Sequence, residues 1–538
     1  EQPRPATAAA FGVDAYFQRM DTNDDGKLSR AEVESYPRLK SGFDYFDANR
    51  DGGISLDEMK RAMAQWQPGQ TQPANPPAPT VPPVASTRRA PDANAKYLVM
   101  VCIDACRPDY LEMAEVPNIK KLMADGVSYD EAWVGHLRND TPPGHVTMAT
   151  GALPRNHGVI GFHWQDPVTR AQFKPTTWFG VAGGQLNDLI AKSGVTSIGS
   201  IYKQAFPGAK VAAFSSDKFY AAAALGADSA DFIGYCRYAD PKGFGTKVGQ
   251  TLTPETVTGR RIPEDTMSSP DLTRKVVNPW DGDTWTMDFA LQLFAKERPQ
   301  VLLINLALTD DIGHTHGANL GREQIVGVIN NADRQIGRLV ETYRQAGILD
   351  RTLFVVTSDH GMSANLRTID ETPMAGIVAE YGMKRSAARL EFYVADSSKA
   401  REAAEKFARL KLPGVHAVYY KEKDGERGFR YVPAPGSTLS PDLDACYRYL
   451  TSTYASAQSA DVVGFSAENW NIHEATSYFK GDHGTVTWEN QHIPLVLAGP
   501  GIKRGVKSSA PARLVDIAPT IVAAMGLKTE KMDGVVLA

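Results

Sequence analysis

The sequence predicts an α/β protein: a mostly parallel sheet sandwiched by helices, with an inserted α+β subdomain, preceded by a small all-α unit. Three observations carry that reading. Short unbroken apolar runs such as YLVMVCI (97–103) and VLLINLAL (301–308) have the length of strands buried on both faces. Amphipathic stretches alternate with them, the longest being REQIVGVINNADRQIGRLVETYRQAG (322–347), and strands alternating with helices make a parallel sheet covered on both sides. A Pro/Ala/Gln/Thr-rich stretch at 67–95 has hardly an aliphatic side chain to bury, so it reads as an extended linker that sets the first 66 residues apart.

Bulk properties narrow the classes. A chain of 538 residues exceeds one core of usual size, so two or more domains are expected. A net charge of −4 leaves no basic excess to neutralise phosphates, which argues against nucleic-acid duplexes as partners. No apolar run approaches the ~18 residues of a membrane span. Four cysteines, Cys102, Cys106, Cys236 and Cys446, are too few for a disulfide framework. Cys102 and Cys106 read as inert core thiols, and Cys236 and Cys446 are the pair that could bridge.

Residues 1–66 contain two loops of one design, DTNDDGKLSRAE (21–32) and DANRDGGISLDE (47–58). Asp21, Asn23, Asp25 and Ser29 in the first, and Asp47, Asn49, Asp51 and Ser55 in the second, put oxygen side chains at loop positions one, three, five and nine. Lys27 and Gly53 would lend their backbone carbonyls, and Glu32 and Glu58 would bind bidentately, the spacing a hard seven-coordinate cation requires. Both loops resemble EF-hands, which implies two bound calcium ions. Phe17, Met20, Val33, Phe43, Phe46, Met59 and Met63 are the apolar positions that would join the flanking helices. The loops start 26 residues apart and Pro37 interrupts the helix between them, so the unit reads as compact and structural. A docking module for a partner or a cell surface is the other reading. Calcium is abundant outside the cytosol, and the chain starts EQPRPATAAA without methionine, as removal of a signal peptide would leave it. An engineered start would do the same. The expected location is secreted or periplasmic.

From residue 96 to 538 the α/β pattern runs on. KYLVMVCID is a strand ending in an acid, PNIKKLMADG a short helix with a glycine stop, and TLFVVTSDHG and IPLVLAGPGI two further strands. The stretch between the last two holds ARLEFYVAD and GVHAVYYKEKDGERGFRYV, and the inserted subdomain is placed within about 364–480. Acids and histidines gather at the expected strand ends: Asp104, then Asp310 with His314, then Asp359 with His360, then His483 in KGDHGTV. Three carboxylates and three imidazoles suit two zinc ions better than calcium or magnesium, which prefer all-oxygen shells.

The order D…T…DxxGH…DHG…GDHG, with Thr141 in NDTPPGHVTMATGALPRNHG (139–158), resembles the alkaline phosphatase superfamily. Within it the likeness is to nucleotide pyrophosphatase/phosphodiesterase enzymes and related type I phosphodiesterases that use threonine. It covers roughly residues 96–538, including LVDIAPTIVAAMGL…MDG near the C-terminus. The resemblance implies that Asp104, Thr141, Asp359 and His360 surround one zinc, and Asp310, His314 and His483 the other. It also implies a phosphothreonine intermediate formed on a phosphate-ester small molecule. A zinc-bound hydroxyl ionises near neutral pH, which answers why an otherwise weak nucleophile stands at Thr141.

The departures bear on substrate. Family relatives carry an asparagine about 21 residues beyond the threonine, where this chain has Phe162, and a phenyl ring cannot donate to a phosphate oxygen. SSDKFYAAAALG (215–226) is similar to a Lys-Asp-basic loop of threonine-using phosphomonoesterases and phosphonoacetate hydrolases, with Ser216 in place of the lysine and Lys218 keeping the basic position. Lys218 is therefore a candidate stabiliser of phosphate charge, or else a solvated surface lysine. Phe162, Tyr220, Trp164 and Trp488 are candidates for the substrate side. CRPDY at Cys106 ends in tyrosine where a sulfatase needs arginine, which argues against arylsulfatase chemistry. His145, His157, His316 and His473 are read as packing or supporting residues. A phosphodiesterase leads, with a phosphomonoesterase or phosphonate hydrolase as the alternative, and a calcium-dependent binding protein with an inert hydrolase domain as the non-enzymatic reading.

Overall fold

In the computed structural model the described residues are 21, 23, 25–33, 43, 47 and 51–59, then 95–174, 183–216, 218–236, 251–252, 282–386, 389–425, 428–437, 439–472, 479–528 and 531–537. The chain separates into two compact units, Glu1–Pro77 and Ala78–Ala538. The linker read at 67–95 lies outside the described residues except for Ala95, as do Asn49, Phe17, Met20, Phe46, Met63 and His473.

In the first unit the two loops are joined by a feature the all-helical expectation did not include, a two-stranded antiparallel ladder of β1 (Lys27–Ser29) and β2 (Gly53–Ser55). Leu28 faces Ile54 across it, and both are buried with Val33, Phe43 and Met59. Each loop is closed by its own acids. Asp21 accepts hydrogen bonds from the Asp25 and Gly26 amides, and Asp47 from those of Asp51 and Gly52. Gly26 and Gly52 sit at φ +78° and +91°, the left-handed region the sharp turn demands. Glu32 and Glu58 reach back to the Ser29 and Ser55 amides.

The second unit is built on a nine-stranded sheet. In chain order its framework is β3 (Tyr97–Ile103), α1 (Pro117–Ala124), β4 (Gly126–Tyr129), α2 (Thr141–Thr150), β5 (Val211–Ser216), α3 (Phe219–Gly226), β6 (Phe232–Cys236) and β7 (Thr251–Leu252). There follow α4 (Gly282–Glu297), β8 (Val301–Leu306), α5 (Leu308–His316), α6 (Arg322–Gln345) and β9 (Thr352–Thr357). The chain then leaves the sheet and builds β10 (Lys384–Arg385), β11 (Glu391–Tyr393), α7 (Ala400–Arg409), β12 (Val415–Lys423), β13 (Phe429–Pro433), α8 (Pro441–Ser452) and β14 (Val462–Ser466). It returns as β15 (Leu495–Ala498), β16 (Val506–Ser508) and α9 (Leu514–Ala524).

The large sheet has the order β7-β6-β5-β8-β3-β9-β15-β4-β16. Its five middle strands β6, β5, β8, β3 and β9 are mutually parallel, while β15 runs antiparallel to β9. Alternate residues of β3 show why helices cover both faces. Val99, Val101 and Ile103 pack among Phe289, Phe294, Ile329 and Ile336 of α4 and α6, while Leu98, Met100 and Cys102 pack among Val146, Ala223 and Ile517 of α2, α3 and α9. The four alanines of α3, all buried, let it lie close against α2, which is itself buried along its whole length. The excursion between β9 and β15 forms a second, antiparallel sheet, β10-β11-β14-β12-β13, with one apolar cluster of its own and another shared with Leu137, Ile160 and Trp164. Cys446 is an exposed free thiol, and the side chain of Cys236, considered from sequence as its partner, lies outside the described residues.

Two histidines near α2 are sealed in this core. His157 takes the Val159 amide at Nδ1 and so donates from Nε2 to the Thr147 hydroxyl, 3.1 Å away. Burial pushes its imidazole well below the usual range, and pushes that of His136 down to about 3. The folded state thus stays neutral while an unfolded chain takes up protons below about pH 6.5. The stabilising difference is complete above that value and is lost as the pH falls toward the folded-state pKa. Urea unfolding is expected to show stability falling between pH 6.5 and 5 by up to about 1.4 kcal/mol per pH unit for each such histidine. His136→Phe should remove one histidine's share of that slope, and a wild-type profile flat across the window would contradict the account.

Candidate active site

Four neighbouring parallel strands, β5, β8, β3 and β9, end at one edge of the sheet, and each is followed by a charged residue. Asp104 directly follows β3, Lys218 lies just beyond β5, Asp310 occupies the first turn of α5 after β8, and Asp359 with His360 follows β9. His314 stands one helical turn after Asp310, so α5 presents both on one side. His483 follows the two-residue strand Gly481–Asp482, which pairs with Ser363–Ala364 beyond β9. The N-terminus of α2 brings Thr141 to the same place. The structure therefore collects every residue of the candidate catalytic and zinc set, and all are buried.

Two overlapping groups result. Nε2 of His360 lies 3.3 Å from the Thr141 hydroxyl, 3.3 Å from Asp359 Oδ2 and 3.7 Å from Asp104 Oδ1. Asp310 stands 3.5 Å from His314 Nε2 and 3.4 Å from His483 Nε2. The His360 and His483 rings stack at 3.7 Å, joining the two groups. Ligand atoms of Asp104, Asp359 and His360 lie within 4.8 Å of one another, as do those of Asp310, His360 and His483, and those of His314, Asp482 and His483. Asp482 is thus a carboxylate of the second group that the sequence reading passed over, although it stands beside His483.

The electrostatics explain what such an arrangement invites. Burial, reinforced by the charge of Asp359, raises the Asp104 carboxyl to about 6. For Asp310 burial is outweighed by Lys218, His314 and His483, which hold it far below the usual carboxylate range, and for Asp359 by His360 and His145. Burial, together with the neighbouring His360, lowers His483 to about 4. Lys218 Nζ lies 2.9 Å from Asp104 Oδ1 and 2.6 Å from Asp310 Oδ2. It is a buried cation spanning both groups, and the solvated-lysine alternative does not hold. One buried oxygen of each acid, Oδ1 of Asp104, Oδ1 of Asp310 and Oδ2 of Asp359, accepts no well-formed hydrogen bond among the described residues. Convergent carboxylate and imidazole atoms with buried acceptor capacity to spare are the donor set a borderline divalent cation takes.

Supporting residues surround the set. One turn into α2, His145 Nδ1 lies 2.8 Å from the Thr141 carbonyl oxygen and 3.3 Å from Asp359 Oδ2. Its Nε2 is 3.0 Å from Asn305 Oδ1, and Asn305 donates from Nδ2 to Asp104 Oδ2 and to Ser215. The packing and hydrogen-bonding role read for His145 is thus a contact with both Thr141 and Asp359. Asn305 was missed, although a polar residue inside the apolar run VLLINLAL is a legible signal. His316 meets the Thr315 hydroxyl at 2.8 Å. Asn139 donates to the Asn490 carbonyl. Phe162 packs edge-on against Tyr220 with ring centroids 5.2 Å apart. Tyr220 and Trp164 are both buried, Tyr220 among the core residues of α2 and α3 and Trp164 edge-on against Phe173. Trp488 is half exposed and stacks on His492. The side chain of Ser216 lies outside the described residues.

Gly144 marks how closely α2 approaches β9. A Cβ there would stand 2.9 Å from the Asp359 carbonyl oxygen and 3.1 Å from its Cβ. Gly144→Ala is expected to cost about 1–3 kcal/mol through overpacking, read as a lowered urea midpoint. An unchanged midpoint would show that α2 moves aside without penalty.

Residues 98–485 match the family model of type I phosphodiesterase / nucleotide pyrophosphatase, and residues 13–35 and 39–64 match EF-hands. The bis(5'-adenosyl)-triphosphatase enpp4 of Mus musculus is 22% identical over 472 residues, covering 82% of this chain and 80% of its own. Among solved structures, the alkaline phosphatase PafA superposes with a TM-score of 0.65 at 17% identity, covering 82% of this chain and 98% of its own. An inactive form of murine ectonucleotide pyrophosphatase / phosphodiesterase 5 in complex with AMP superposes with a TM-score of 0.52 at 18% identity, covering 82% and 97%. The fold is that of the alkaline phosphatase superfamily, and the chain belongs to the type I phosphodiesterase / nucleotide pyrophosphatase family, with an EF-hand region at its N-terminus.

Proposed function

We propose that the protein is a zinc-dependent phosphoric ester hydrolase that cleaves phosphodiesters through Thr141. The observation that carries this reading is the Thr141 hydroxyl, buried at the start of α2 and set against two convergent carboxylate–imidazole groups. Asp104, Thr141, Asp359 and His360 would hold one zinc, and Asp310, His314 and His483 the other. When bound, these ions would ease ionisation of the threonine hydroxyl and neutralise charge on the leaving-group oxygen.

The chain's own groups then account for the rest. Thr141 Oγ attacks phosphorus in line, the leaving-group oxygen departs, and a covalent phosphothreonine ester remains. Water attacks the same phosphorus in a second displacement, releases the product and restores the hydroxyl, with retention overall. Thr141 is the first residue of α2, so its amide has no partner within the helix, and the helix N-terminus favours negative charge there. His145 fixes the Thr141 carbonyl and Asp359 together, which holds the hydroxyl in line with the site. Phe162 packs edge-on against Tyr220 and has no group that could donate to a phosphate oxygen.

A second reading has an observation of its own. Lys218 reaches both acid groups, and a lysine so placed suits the additional charged oxygen of a phosphomonoester. The similarity in fold to an alkaline phosphatase keeps that alternative open. The two EF-hand loops are proposed to bind two calcium ions and to work as a structural appendage or docking unit. A secreted or periplasmic setting accords with calcium supply there, and among the described residues no helix is long and apolar enough to cross a membrane.

The deciding assay compares zinc-loaded protein on p-nitrophenyl phosphate and on a p-nitrophenyl nucleotide diester, with Thr141→Ala alongside. The expected result is a large preference for the diester and a fall of about 1,000-fold or more in kcat for the variant. Preference for the monoester, abolished by Lys218→Met, would move the assignment to phosphatase. Full activity of Thr141→Ala on either substrate would end the nucleophile reading.

A further inference from the structure

Asp140 precedes Thr141 and is the N-cap residue of α2, yet its carboxylate makes no capping hydrogen bond. The sequence supplies the reason. The second and third helical positions, whose amides an N-cap side chain would accept, are Pro142 and Pro143, and neither has an N–H. The carboxylate turns instead to Arg138, 2.7 Å away, and to Arg389, 3.0 Å away, and stands 3.6 Å from His483 Nδ1.

Arg389 belongs to the inserted subdomain, two residues ahead of Glu391 on β11. Its guanidinium is two-pronged. Nη2 donates to Asp140, and Nη1 donates at 3.1 Å to Asp482, the residue before His483. Asp482 also accepts from Asn471 Nδ2 and from the His483 amide, both at 2.8 Å. Arg138 closes the network by donating to Glu391, whose other oxygen takes the Tyr454 hydroxyl. The backbone folds tightly over this group. Gly484 sits at φ +85°, and a Cβ there would fall 2.2 Å from Arg389 Nε.

We propose that Arg389 is a positioning residue, by which the inserted subdomain sets Thr141 and His483 relative to each other through Asp140 and Asp482. This rests on the reading of Thr141 as nucleophile and His483 as metal ligand. A planar guanidinium can engage two carboxylates at a fixed spacing, whereas an ammonium serves them only as a point charge. A buried ion network is weak evidence for stability, since apolar replacements often do as well, so placement is the role its geometry suits.

The test uses the full-length, zinc-loaded protein with Arg389→Lys and Arg389→Met. Loss of an outer partner of a metal ligand typically costs about 10–100-fold in activity or metal affinity. For Arg389→Met, kcat is expected to fall in that range with KM within about twofold, and one of two zinc ions should be lost more readily to a competing chelator. Arg389→Lys should recover part of kcat, and it decides the matter alone if the methionine variant does not fold. Wild-type kcat and zinc retention in both variants would overturn the proposal. So would a raised KM with kcat intact, which would mean direct contact with substrate. A wild-type protein that holds no zinc would defeat the metal reading, while the split between kcat and KM would still decide on Arg389.

Discussion

Like charges in a dry pocket repel, and the ends of β3, β8 and β9 place Asp104, Asp310 and Asp359 in one such pocket. That repulsion is the constraint on which the rest of the site depends. Within the chain it is answered by Lys218, which reaches two of the three carboxylates, while the imidazoles of His314, His360 and His483 stand beside Asp310 and Asp359. A parallel sheet makes the arrangement possible, because adjacent parallel strands all deliver their following residues to the same edge. An antiparallel arrangement of the same strands would send alternate acids to opposite ends.

The second constraint is the approach of α2. Its first residue must come within reach of His360 while its first turn lies against Asp359, and three local choices permit this. The Pro142–Pro143 pair starts the helix with no amide at its second and third positions. Gly144 lets the helix lie on Asp359, and the alanines of α3 let a neighbouring helix lie close behind it. These residues look inert one at a time, but together they bring the hydroxyl to the charged edge.

Much of this was legible in the chain. Apolar runs ending in acids mark buried strands whose C-terminal ends carry chemistry, so Asp104, Asp310 and Asp359 were placed by local pattern alone, and the fixed loop spacing did the same for Glu32 and Glu58. Residues whose role comes from a distant partner were not legible. Arg389 meets Asp140 across 249 positions, and Asn305 meets Asp104 across 201; no periodicity links such pairs. The helical turn that starts at Phe219 buries Tyr220 against Phe162, a partner that its place in the chain does not reveal. The β1–β2 ladder escaped notice because each strand is only three residues long.

The central claim is that the edge formed by β8, β3 and β9 is a receptor for two cations shared with Thr141. Anomalous X-ray scattering at the zinc edge, on crystals of zinc-loaded full-length protein, tests it most directly. The account predicts two zinc peaks, one among Asp104, Thr141, Asp359 and His360 and one among Asp310, His314 and His483. Zinc at neither position, or at a single site that leaves out Thr141, would contradict it.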